Sequence, residues 1–171
     1  QAKSAGKGTY SFFENEMDQA LQERRVIERD LRQAIARRQL SLVYQPLVNA
    51  EDGTVNGYEA LLRWEHPDRG SIAPEVFVTI AEETGAIIEI GEWVLRQACR
   101  TAAGWPEDIS IAVNISPVQF KLYDLSDKVW AILQEEGLRP DRLELEITET
   151  VLVRDQSDAL RSLQQLKSLG V

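Results

Sequence analysis

The chain has 171 residues, 43% of them hydrophobic and 27% charged, with a formal net charge of −9; this is an ordinary globular composition, sized for one domain or for one domain with an appendage. The charge is uneven, with eight Lys/Arg against six Asp/Glu in residues 1–40 and eleven against twenty-two in residues 41–171. So acidic a body has no electrostatic footprint for duplex DNA, which needs cationic side chains to neutralise its phosphates, but it suits divalent cations, which can hold phosphates in turn.

Thr9 to Phe13 follows a basic, Gly-containing start and reads as a brief strand with alternating faces. Residues 14–38 carry a helical pattern in which Met17, Ala20, Leu21, Ile27, Leu31, Ala34 and Ile35 recur near a period of 3.6. Leu42 to Val48 is a predicted strand, Asn49 to Gly53 a turn, and Val55 to Trp64 a second strand antiparallel to the first. Pro74 to Thr84 reads as a helix with Pro at its first turn and Gly85 at its end. Ile90 to Gly104 is another helix, and Cys99 on its apolar side is a buried small residue rather than a nucleophile. Cys99 is also the single cysteine, so no intrachain disulfide forms. Ser110 to Ser116 is a strand, Leu125 to Glu136 a helix, Leu143 to Glu149 a strand, and Ser157 to Leu169 the last helix. Strands alternating with helices imply a parallel sheet with crossovers, either an open doubly wound sheet or part of a (β/α)8 barrel. About four strands follow residue 40, half of what a barrel needs.

Three strands carry a polar residue where burial predicts an apolar one: Glu59, Asn114 and Glu146. A buried carboxylate costs several kcal/mol unless it is paired or bound to metal. Oxygen donors from three strands at one mouth suit a hard cation such as Mg²⁺ or Mn²⁺, although an in-strand Asn can equally satisfy a neighbouring backbone group. Glu144 shares a strand face with Glu146 and either joins this group or faces solvent. Arg63 is either a bidentate phosphate partner or an ion-pair partner of Glu59 or Glu65. Gln45 has an amide suited to a base edge or a ribose, and His66, without a Cys cluster, reads as structural rather than as a zinc ligand.

Tyr58-Glu59-Ala60-Leu61-Leu62-Arg63-Trp64 resembles the signature of the EAL family. Tyr44-Gln45-Pro46, Arg63-Trp64-Glu65-His66-Pro67, Val113-Asn114-Ile115-Ser116 and Glu146-Ile147-Thr148-Glu149 resemble that family's other strand motifs, in the family's order. Ala2 to Gly8 with Tyr10 and Phe12-Phe13 resembles the closing stretch of a GGDEF domain. The resemblance implies three segments: residues 1–13 as a GGDEF remnant, 14–38 as a linker helix, and 39–171 as the N-terminal half of an EAL domain, a (β/α)8 TIM-type barrel. It implies metal-dependent hydrolysis of cyclic di-GMP to linear pGpG with two divalent cations, Mg²⁺ or Mn²⁺. It implies Glu59, Asn114 and Glu146 as metal ligands, Gln45 and Arg63 as substrate-binding residues, and Glu149 as a loop-stabilising residue.

The family's paired aspartates and catalytic lysine lie beyond Val171, so no catalytic base is expected within these residues and the chain by itself is expected to be inactive. A non-catalytic cyclic di-GMP sensor or a dimerisation module is the alternative, and unpaired sheet edges make a homodimer the expected assembly. No apolar run approaches the ~18 residues of a membrane span, and the start has no signal-peptide stretch. The expected location is cytoplasmic, with any membrane anchor of a longer parent lying outside this segment.

Overall fold

The structure is a computed structural model, and it describes residues 21–121, 124–147 and 156–171. The expected strand at residues 9–13 and the site residue Glu149 lie outside the described residues.

The described part of the first helix, α1, covers residues 21–34, four short of the expected end at 38. The reason is a C-terminal cap built on Arg38, which takes a left-handed φ of 55°. The Gln39 N–H donates to the Ala34 carbonyl at 2.9 Å and the Arg38 N–H to the Ile35 carbonyl at 3.0 Å, the reciprocal pair of a Schellman motif. Leu31 and Ala34 on the inner face of α1 join the core.

Strand β1 (Leu40–Val48) and strand β2 (Val55–His66) form the expected antiparallel hairpin, with Gln45 opposite Glu59. The turn is set by side chains that replace backbone partners. Asn49 Oδ1 accepts from the Glu51 N–H at 2.9 Å, and Asp52 Oδ1 accepts from the Thr54 N–H at 3.0 Å and its hydroxyl at 2.7 Å. Those bonds hold the Asp52 carboxyl below its ordinary value. Gly53 completes the turn at a φ of 73°, a region that side chains avoid. Pro46, which has no N–H to donate, confines β1 to an edge of the sheet.

A short strand that the sequence pattern did not reveal, β3 (Gly70–Ile72), folds back onto the end of β2 with Trp64 opposite Ile72. Helix α2 (Pro74–Thr84) and helix α3 (Ile87–Ala103) then cross to strand β4 (Ser110–Ile115), which lies parallel to β2. Helix α3 starts three residues earlier than expected, because Ile87 and Ile90 are both drawn into the core. A single-turn helix, α4 (Pro117–Phe120), and helix α5 (Leu125–Glu136) follow, and a 3-10 turn at Pro140–Arg142 leads into strand β5 (Leu143–Ile147), parallel to β4. Helix α6 (Gln156–Leu169) closes the described chain. The sheet order is β1-β2-β4-β5, with β3 attached to β2. This mixed α/β sheet, with β2, β4 and β5 parallel and joined through helices, has the arrangement that part of a (β/α)8 barrel requires.

The sheet has two unlike faces. Tyr58, Ala60, Leu62 and Trp64 of β2, Ile111, Val113 and Ile115 of β4, and Leu143, Leu145 and Ile147 of β5 pack into or against the hydrophobic core. Trp64 is fully buried, meets Phe77 of α2 edge-on at 5.6 Å, and donates from Nε1 to Gln39 Oε1 at 3.2 Å. His66, at the end of β2, is buried. Its Nδ1 accepts from the Asp68 N–H at 3.2 Å, which leaves Nε2, 3.2 Å from Asp30 Oδ2, as the donor that ties β2 to α1. Cys99 is buried in the core and burial pushes its thiol up to about 12, which removes it as a nucleophile at neutral pH.

Candidate active site

The other face of the sheet carries the polar residues. Side chains alternate along a strand, and residues paired in register on neighbouring strands point the same way. Glu59 pairs with Gln45 on one side and with Ala112 on the other; Ala112 pairs with Glu144, and Asn114 with Glu146. Gln45, Glu59, Asn114, Glu144 and Glu146 therefore share one face, and so does Arg63, four residues beyond Glu59 on β2. Asn114 and Glu146 sit near the C-terminal ends of their strands, where barrel enzymes place their chemistry.

Asn114 is the hub of this face. Its Nδ2 donates to Glu59 Oε1 at 2.7 Å, which aims its carbonyl oxygen away from Glu59. Glu146 lies beside it on the next strand. The Glu146 carboxyl is raised above its ordinary value, first by partial burial and then by repulsion from Glu59 and Glu144. Glu144 is the one acid on this face with a hydroxyl partner, accepting from Ser110 Oγ at 2.9 Å. Mutually repelling carboxylates with oxygen donors on adjacent strands form an anionic patch that a cation would neutralise. Among the described residues, no three His, Cys, Asp or Glu side chains close on one point. The donor set is two carboxylates with an amide oxygen between them, which fits an oxygen-seeking ion and not zinc.

Arg63 is not paired with Glu59 or Glu65. Its Nη1 donates to the Leu62 carbonyl at 2.9 Å, and it lines a cavity of about 320 Å³ at the C-terminal ends of β2 and β4. Glu82 of α2, Asn114 and Ser116 line the same cavity, and Val78 and Ile90 are among its apolar walls. A guanidinium with no acidic partner among the described residues, beside a cavity and an anionic patch, is a natural grip for a phosphate. The structure thus brings together Gln45, Glu59, Arg63, Asn114 and Glu146.

Glu82 and Gln119 near this site carried no expectation from the sequence, and Ser116, expected as the end of the Asn114 strand, is instead the N-cap of α4. Ser116-Pro117-Val118-Gln119 fits a capping box with Pro at the first helical position, a signal that was present. Glu82 had no local signal, because it reaches Ser116 across 34 positions of chain.

Comparison with known proteins places the chain in a family. The EAL domain model matches residues 28–171. An uncharacterized signaling protein of Caulobacter vibrioides is 52% identical over 171 residues, covering 100% of this chain and 21% of that protein. The bifunctional diguanylate cyclase/cyclic di-GMP phosphodiesterase MucR of Pseudomonas aeruginosa is 47% identical over 174 residues, covering 99% of this chain and 25% of that protein. The chain thus spans about a fifth to a quarter of the length of these relatives. Among solved structures, the phosphodiesterase PaMucR in complex with c-di-GMP superposes with a TM-score of 0.81 at 48% identity, over 85% of this chain and 60% of that chain. With a family model spanning most of its length and the signature strand in place, the chain belongs to the EAL domain family.

Proposed function

We propose that these residues supply the leading half of a metal-dependent phosphodiesterase site that opens cyclic di-GMP to linear pGpG. The observation that carries this reading is the shared face of Glu59, Asn114 and Glu146 on three adjacent strands. Relatives named as cyclic di-GMP phosphodiesterases, such as NbdA of Pseudomonas aeruginosa at 36% identity, support the substrate class.

In this reading Glu59, Asn114 and Glu146 hold Mg²⁺ or Mn²⁺, one ion of an expected two-metal site. The bound cations would lower the proton affinity of an attacking water and neutralise charge on the phosphate oxygens. The chain's own residues do the rest. Asn114 orients the Glu59 carboxylate through its amide. Arg63 grips a phosphate oxygen pair. Gln45, in register with Glu59, offers an amide to a base or ribose. Glu149 steadies the loop after β5. No residue among these is assigned as the base, so the 171-residue chain binds without turning over. The outer edge of β1, which pairs with no other strand among the described residues, favours a homodimer, with exposed Val43 and Val48 on that strand. Residues 1–13 as the end of a GGDEF domain complete the proposal. Among the described residues no helix is long and apolar enough to cross a membrane.

Calorimetric titration of the chain with cyclic di-GMP, in Mn²⁺ and again with chelator, tests this. Binding that requires Mn²⁺ and is lost in Asn114→Ala supports the site. Equal binding with chelator supports a metal-independent sensor instead, and no binding in either condition refutes a site preformed in these residues.

A further inference from the structure

Asn114 has to be presented at one position, yet an Asn side chain has a broad, roughly two-fold terminal torsion and its strand ends one residue later. What fixes the end of β4 is a set of hydrogen bonds centred on Ser116. Its hydroxyl donates to Glu82 Oε1 at 2.7 Å and accepts from the Val118 N–H at 3.2 Å. Its own N–H donates to Gln119 Oε1 at 3.2 Å, and its carbonyl accepts from the Phe120 N–H at 3.0 Å. Gln119 is buried, and it lies so close to α3 that a Cβ added at Gly91 would stand 1.9 Å from its Nε2. Ile115, between Asn114 and Ser116, is buried in the core. Apart from the bond to Glu82, these contacts are local to β4 and α4 or rest on packing. The bond to Glu82 alone ties the strand end to α2 through a side-chain carboxylate, and a charged acceptor makes it the strongest of the set.

We propose that Glu82 is a positioning residue for Asn114, acting through Ser116. The Glu82 carboxylate fixes the rotation of the Ser116 hydroxyl, and that sets the N-cap of α4 and the last peptide units of β4. Asn114 is then held within the few tenths of an ångström that a ligand-bearing side chain requires. Without Glu82 the hydroxyl turns to another acceptor, the strand end relaxes, and the Asn114 amide loses its alignment on Glu59. The functional consequence rests on the proposed role of Asn114 as a metal ligand, whereas the positioning itself does not. Removing partners behind a metal ligand typically weakens metal affinity by about 10–100-fold.

The test reads Asn114 directly. The side-chain amide resonances of Asn114, identified by their disappearance in Asn114→Asp, are followed by nitrogen-15 NMR together with the calorimetric Mn²⁺ affinity. Glu82→Ala is expected to move both amide proton resonances toward free values and to weaken Mn²⁺ binding by about 10-fold. Glu82→Gln, which keeps an acceptor for the Ser116 hydroxyl, restores both. Ser116→Ala reproduces the Glu82→Ala effect from the other partner, and the double variant adds little to either single change. Asn114 resonances that stay in place in both Glu82→Ala and Ser116→Ala overturn the proposal. A wild-type chain that binds no Mn²⁺ overturns the metal reading instead, and the amide resonances still decide the positioning role.

Discussion

Glu146→Gln is expected to stabilise the chain while destroying the proposed site. Partial burial of the carboxyl is the leading cause of its raised proton affinity, but the residue is largely exposed, so this costs a few tenths of a kcal/mol. Glu144 lies two residues away on the same strand face, about 7 Å, where two charges in water repel by roughly 0.6 kcal/mol. Physiological salt cuts that to about 0.3 kcal/mol, and Glu59, whose repulsion of Glu146 is the larger of the two, adds about as much again. The total is about 0.5–1 kcal/mol, or 1–4 °C in Tm for a chain of this size.

The sign follows from proton linkage. The folded state binds the Glu146 proton more tightly than the unfolded chain. The stability this contributes is complete below the unfolded value of about 4.3 and is lost as pH rises through the higher folded value. Gln stays neutral at every pH. Its advantage therefore appears at pH 7.5 and vanishes at pH 3.5, measured by thermal or urea unfolding of both proteins. Mn²⁺ reverses the order, since at about 100-fold excess over its Kd a ligand adds about 2.7 kcal/mol to a protein that binds it. A variant that is less stable than wild type at pH 7.5 without metal, or a gain that persists at pH 3.5, refutes the picture of a repelling anionic cluster.

Gly91→Ala is expected to cost about 1–3 kcal/mol, since its Cβ would stand 1.9 Å from Gln119 Nε2 and displace the buried amide from its capping box; urea unfolding measures it. Arg142→Met is expected to cost about 2 kcal/mol, because buried Arg142 donates to the Ile109 carbonyl at 2.9 Å and the Ala102 carbonyl at 2.8 Å, joining the end of α3 to the start of β4. Its thermal midpoint falls while binding at the distant strand ends is unchanged. Arg38→Gly relieves a side chain at a φ of 55° and raises stability by about 0.5–1 kcal/mol in urea unfolding.

The sequence by itself determined the repeating elements and the identity of the polar strand residues. Alternation in Val55–Trp64 and the apolar run around Asn114 marked both strands, and the Asn49–Gly53 turn chemistry set the hairpin, because each is a local preference written within a few residues. The same period-2 alternation made Glu59, Asn114 and Glu146 conspicuous as polar groups in apolar runs, but the expected burial did not follow, since Asn114 and Glu146 are exposed and Glu59 is half-buried on the polar face of the sheet. It did not decide Arg63, for which a phosphate grip and an ion pair were equally open. The tertiary structure settled part of that question by leaving Glu59 bonded to Asn114 rather than to Arg63. Strand register is also a tertiary quantity, since a slip of one residue would turn every side chain to the opposite face. Only the parallel pairing of β2, β4 and β5 puts the two glutamates and the asparagine on one side. The short strand β3 exists because β2 satisfies its backbone groups, whereas α4 rests on the local capping box of Ser116 and Gln119. The link from Glu82 to Ser116 spans 34 positions, and no local preference encodes it; it exists because α2 packs against the end of β4.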